Sequence, residues 1–199
     1  KNIDTGMGLE RMAALLQGVN NIYEIDTTRS ILDTARELTG ARYGKSERDD
    51  VALRVVADHA RTCTFLIADG VVPGNEGRGY VLRRLMRRVI RNMRILGAGE
   101  PTMSQLIDAT VQTMAPQYPE LNDEVERIRS VATGEESTFE TTLRTGTVLF
   151  EAAVAEAKEV QLMQIWHLHE VQDRSLCGGP EGQRELGPSF ACGMWTYGC

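Results

Sequence analysis

Two short stretches hold residues whose types and spacing suit them to chemistry. The first, IDTGMGLER at residues 3–11, sets Gly6 and Gly8 one residue apart just ahead of a helical pattern. Glycines there let the backbone come close to a ligand, and a helix N-terminus favours an anion. Arg11 lies one turn in, able to reach a phosphate, and Asp4 just before the turn is a carboxylate that can hold a cationic group or cap the helix. A bare GxG is a weak signal, and a helix entry with no ligand accounts for it equally well. The second stretch, NEGRGYVLRRLMRRVIRNMR at residues 75–94, gathers seven arginines and one acidic residue in a chain whose formal net charge is −6. Placed on a helical wheel, Arg83, Arg84, Arg87, Arg88, Arg91 and Arg94 fall within about 140° of arc. The rest of the wheel holds Val81, Leu82, Leu85, Met86, Val89, Ile90, Met93 and Leu96, a broad apolar docking face. A planar guanidinium fork suits bidentate contacts to phosphate, so the stripe fits a nucleic-acid backbone. The other reading is a solvated face whose arginines pair with Glu120, Asp123, Glu124 and Glu126.

The elements that must position these residues are almost all helices. Leu9, Met12, Ala13 and Leu16 recur at helical spacing between Gly8 and Gly18 and share one face. Asp26 or Thr27 can cap a second helix running to about Thr39, which Gly40 closes. After a polar loop, Asp50 caps a third helix, whose broad apolar arc is Leu53, Val56, Ala57, Ala60, Cys63, Phe65 and Ile67. The arginine helix spans roughly Tyr80 to Leu96. Further helices are predicted over Thr102–Met114, Leu121–Val131 and Glu135 to about Glu159, and a short strand over residues 2–5. The expected fold class is therefore mainly α, a helical bundle, with no internal repeat.

Composition narrows the setting. With 199 residues and 42% hydrophobic content, the chain can bury a real core. The sequence has no uninterrupted apolar run of membrane-spanning length and no apolar leader at its start, so it reads as cytoplasmic, without a membrane partner. Lacking an initiator Met, it also reads as a piece of something longer. Cys63 stands alone in a helical pattern while Cys177, Cys192 and Cys199 crowd the end, which gives no disulfide framework. His167 and His169 with those three cysteines do not make a zinc site, because the cysteine spacings of 15 and 7 lack the usual close ligand pair. No metal site is expected. His59 reads as a histidine at the core edge or an interface rather than a catalytic base.

Taken together, the two stretches resemble the alanyl-tRNA synthetase family. IDTGMGLERMAALLQGVNNIYEID is similar to its class II motif 3 and the continuation. LRVVADHARTCTFLIADGVVPGNEGRGYVLRRLMRRVIR resembles the signature of its tRNA-recognising helical domain, and the resemblance extends to about residue 159. It implies formation of alanyl-adenylate from alanine and ATP, with Mg²⁺, followed by transfer of the alanyl group to tRNA(Ala). Residue by residue, it implies that Asp4 holds the alanine ammonium, that Gly6 and Gly8 floor the adenylate pocket, and that Arg11 is the catalytic arginine on the ATP phosphates. Asn75 matches the asparagine that reads the acceptor-stem G·U pair, with Arg83, Arg84, Arg87, Arg88 and Arg91 positioning the RNA backbone around it.

The resemblance also marks departures. Motifs 1 and 2 would precede residue 1, and the editing domain with its zinc site would follow the last residue, so the isolated chain is expected to be inactive. After residue 160 nothing resembles the DTYGFP-like motif whose aspartate partners the asparagine. The expected organisation is an edge of the catalytic domain over residues 1–18, a helical tRNA-recognition domain over 19–160, and a divergent, poorly ordered tail over 161–199. A non-catalytic module that binds an RNA acceptor stem is the alternative, and a protein–protein scaffold with its arginines buried against acid is a third.

Overall fold

The computed structural model describes the backbone of residues 5–176 and the side chains of residues 5–159. Six helices follow one another: α1 (Leu9–Gln17), α2 (Asp26–Thr39), α3 (Glu47–Ala68), α4 (Gly77–Ile95), α5 (Met103–Met114) and α6 (Glu120–Leu176). The described residues contain no strand, and the mainly α expectation is met. Asp4, most of the expected strand over residues 2–5, and Cys177, Cys192 and Cys199 lie outside the described residues. So do the side chains of His167 and His169. The chain divides into two compact units after Gly146; the first holds α1–α5 and the opening part of α6.

Within the first unit α3 is the central element, packed against α2, α4 and α5. Its buried positions Leu53, Val56, Ala57, Ala60, Cys63 and Ile67 follow the predicted arc, while Phe65 is only partly buried and meets Tyr118 edge-on, ring centroids 5.0 Å apart. From α4 come Leu82, Met86, Val89, Ile90 and Met93, and from α6 Leu121, Ile128 and Ala132. Burial pushes the Cys63 thiol up to about 12, so it stays a neutral core group. His59 is mostly buried, with Nδ1 3.0 Å from Asp58 Oδ2.

Several helix ends differ from the sequence reading. The third helix starts earlier than Asp50: Ser46 is its cap and accepts from the Asp49 N–H, whereas Asp50 accepts from the Gly44 N–H at 2.7 Å and ties down the preceding loop. Ile25, not Asp26 or Thr27, occupies the N-cap of α2, and Asp26 accepts from the Thr27 N–H just inside it. In α1 the expected apolar face is docked only in part, through the half-buried Met12 and Ala13. Only Ala14 is buried, and Leu9 and Leu16 are more than 80% exposed; the Glu10–Arg61 ion pair, 2.5 Å, links α1 to α3. Val81 likewise lies outside the α4 docking face.

The two helices expected over residues 121–131 and 135–159 are one. Gly134 sits inside α6, where a glycine costs roughly 1 kcal/mol relative to alanine. Tertiary anchors on either side offset that cost. Ile128 and Ala132 enter the core, and Glu136, itself buried, accepts from the N–H groups of Thr102 (2.9 Å) and Met103 (3.2 Å). Glu136 thereby caps α5, whose own Thr102 side chain does not. Nor does α6 stop near residue 160, where the reading of the sequence ends it, because the helical backbone continues to Leu176.

Burial raises the Glu136 carboxyl above its ordinary value of 4.5, against the two N–H donors that favour its charged form. Its folded state thus holds the proton more tightly, and this contribution to stability is present below pH 4.5 and lost as pH rises through the raised value. Glu136→Gln, which keeps one acceptor oxygen, should gain on the parent protein between pH 4 and 7. Glu136→Ala leaves buried N–H groups unsatisfied and should cost about 1–3 kcal/mol. Urea unfolding of both variants across that pH range measures the difference.

Candidate nucleic-acid interface

The loop before α4 and the first turns of α4 are built on close backbone contact. The Gly74 N–H donates to the Gly79 carbonyl at 3.0 Å, folding residues 74–79 back on themselves. A Cβ at Gly79 would lie 2.5 Å from the Val72 carbonyl oxygen and 3.0 Å from the Gly74 nitrogen, so glycine is required there. Gly77, with φ of 56°, supplies the left-handed residue of the same turn. Asn75 sits exposed at the tip.

The six arginines of the stripe on α4 are not equivalent. Arg83 and Arg87 turn toward α6, where they share the carboxylate of Glu135, only 5% exposed. Arg87 donates from Nε at 2.8 Å, and Arg83 Nε lies 3.3 Å away without the alignment of a hydrogen bond. One turn further along, the Phe139 ring lies beneath the Arg87 guanidinium, 4.9 Å from its centroid, a cation–π contact. Arg94 donates to Glu140 at 2.7 Å. Arg84, Arg88 and Arg91 form a second row at i, i+4 and i+7, exposed and, among the described residues, in no ion pair. The two rows border a trough of about 460 Å³ lined by Tyr80, Arg83, Arg84, Arg87, Arg88, Arg91 and Phe139.

The acidic partners expected from the sequence are therefore the wrong ones. Glu124 and Glu126 pair within α6, with Arg127 and Arg129, both at 2.5 Å. The neutralising groups on the arginine stripe are Glu135 and Glu140. Glu135 and Phe139 are four apart, as are Arg83 and Arg87, so each pair lies on one face of its own helix, but that spacing alone does not say which faces meet. Asn75 also has a neighbour the sequence does not announce. Arg83 donates from Nη1 to its Oδ1, and from Nη2 to the Pro73 carbonyl at 3.4 Å.

The N-terminal candidates form a separate place. Gly8 is the N-cap of α1 and carries no side-chain cap, and Gly6, Gly8 and Arg11 are all exposed. The Arg11 stem folds over Gly8, where an added Cβ would meet it at 3.5 Å, an ordinary contact. None of these residues lines the arginine trough. Among the described residues no group of three or more His, Cys, Asp or Glu side chains is arranged to hold a metal, and no helix is long and apolar enough to cross a membrane.

Comparison with known proteins places this mainly helical chain in a family. The family described as tRNA synthetases class II (A) matches residues 1–173, and the chain belongs to that family. Within it, the similarity is to alanine–tRNA ligases. That of Acidothermus cellulolyticus is 67% identical over 157 residues, that of Frankia alni 63% over 158, and that of Streptomyces avermitilis 56% over 158. Each match takes in 79% of this chain and 18% of the relative, so the chain spans less than a fifth of the length of these proteins.

Gly79→Ala should cost about 1–3 kcal/mol, because backbone rather than a side chain would have to give way. Hydrogen exchange at the Gly74 amide should speed up in this variant. Protection at parent levels would show that the loop tolerates the Cβ.

Proposed function

We propose that this chain contributes the acceptor-stem-binding helices, and one wall of the ATP and alanine site, to an alanine–tRNA ligase working in the cytoplasm. The observation that carries the reading is the exposed row Arg84, Arg88 and Arg91 beside the Asn75 loop. Three weakly hydrated forks at helical spacing suit successive phosphates of one RNA strand. Arg83 and Arg87, already facing Glu135, contribute less free charge and more position. The net charge of −6, which already includes the arginine stretch, leaves the rest of the chain acidic and disfavours indiscriminate RNA binding, so the open row acts locally. Asn75, at the loop tip, is the group that reaches a base edge.

At the other place, the uncapped N-terminus of α1 and the exposed Arg11 guanidinium fit an anion such as the ATP phosphates. ATP with magnesium would supply the adenylyl group for the alanine carboxylate, with pyrophosphate as the leaving group, while Gly6 and Gly8 would leave room for the nucleotide and Asp4 would hold the alanine ammonium. Gly6, Gly8 and Arg11 are all exposed, which favours, as a second reading, an RNA-binding module without chemistry for the 199-residue chain by itself.

Two measurements test this. The isolated chain should show no alanine-dependent pyrophosphate exchange above background, and clear exchange would contradict the second reading. Its binding to an acceptor-stem hairpin should weaken with salt, and Arg88→Gln with Arg91→Gln should reduce the slope of log K against log salt by about 1 per arginine. An unchanged slope would remove the open row from the interface.

A further inference from the structure

The contact between Arg83 and Asn75 gives α4 a second task. We infer that Arg83 is a positioning residue that fixes the orientation of the Asn75 carboxamide, and with it the kind of base-edge atom Asn75 can recognise. The inference rests on the reading of Asn75 as the residue that meets RNA.

The chemistry leaves one choice. A guanidinium carries only donors, so the atom of Asn75 that faces Arg83 has to be the carbonyl oxygen, and the reverse orientation would set N–H against N–H. Arg83 is itself held at three points: Asn75 Oδ1, the Pro73 carbonyl and the Glu135 carboxylate on α6. Its side chain is 25% exposed, and Glu135 is nearly buried, so the fork cannot swing out freely to a phosphate. With Oδ1 engaged, the outward edge of Asn75 is its NH₂ group. A donor in that place selects acceptors, such as purine N3, pyrimidine O2 or a ribose 2′-oxygen on the shallow groove of an RNA helix, and because a wobble pair shifts the positions of these atoms relative to a G·C pair, a donor held in one orientation can tell the two apart.

The chain from Glu135 through Arg83 to Asn75 therefore separates charge from orientation, and Arg83→Lys separates them experimentally. Lysine keeps the charge but has no planar fork with which to hold Oδ1, the Pro73 carbonyl and Glu135 together. Full-length chains carrying Arg83→Lys, Arg83→Gln, Asn75→Ala or Arg88→Gln are titrated with hairpins whose stems differ only in a G·U or a G·C pair, and their side-chain amide signals are recorded by ¹⁵N NMR without RNA. Arg83→Lys should keep the parent salt dependence yet lose the G·U preference to the same extent as Asn75→Ala, and adding Asn75→Ala to it should change the preference no further. Arg88→Gln should weaken both hairpins equally and leave the preference intact. In the free protein, the Asn75 NH₂ signals should move in both Arg83 variants and not in Arg88→Gln. Full G·U preference in Arg83→Lys, or Asn75 signals unmoved by Arg83→Gln, overturns the inference. If the parent chain binds both hairpins alike and Asn75→Ala is silent, the RNA reading of Asn75 fails instead, and the amide signals alone decide whether Arg83 orients it.

Discussion

Two guanidinium groups on α4, those of Arg83 and Arg87, converge on a single carboxylate of α6, Glu135, whose side chain is almost withdrawn from water. A carboxylate in that position needs charged partners, because losing its hydration without them costs several kcal/mol. The pairing adds little net stability beyond an apolar contact of the same shape, but it fixes which way α4 is rotated against α6. That rotation decides the rest of the surface. With Arg83 and Arg87 turned inward, Arg84, Arg88 and Arg91 face outward as an open row, and Arg94 meets Glu140 at the end of the helix.

The same segment of α6 serves the core. Glu136, one residue on from Glu135, caps α5, and Phe139 closes the floor of the trough beneath Arg87. The sequence GEESTFE thus clamps two helices at once, one through its amide donors and the other through its guanidinium groups. Helix α3, between α2, α4 and α5, presents eight buried positions to its neighbours, among them three small alanines, Cys63 and Thr64. Interface and core are therefore set by neighbouring side chains on one turn of one helix.

How much of this could be read beforehand follows from the range of the interactions involved. The bundle, the apolar arc of α3 and the extent of α5 rest on local periodicity and agree with the structure, whereas α4 begins at Gly77, three residues before the expected Tyr80. The family was legible because two long motifs identify it, and the match over residues 1–173 agrees. Contacts between residues far apart in sequence were not legible. Nothing local reveals that Glu135 rather than Glu124 faces the arginines, a partner 48 residues from Arg87. Nor does local pattern show that Gly134 is carried through a continuous helix by anchors on both sides, that Ser46 and not Asp50 caps α3, or that Leu9 and Leu16 stay exposed on α1. Periodicity places residues on one face without saying whether that face is covered.

The most direct test of this arrangement is the salt dependence of hairpin binding in Glu135→Gln, compared with the parent chain at equal helical content. If Glu135 withholds Arg83 and Arg87 from the RNA, removing its charge should release them to phosphate and steepen the slope of log K against log salt by about 1 to 2. A slope that is unchanged or shallower, in a variant that remains folded, would contradict the division of the arginine stripe into a held row and an open one.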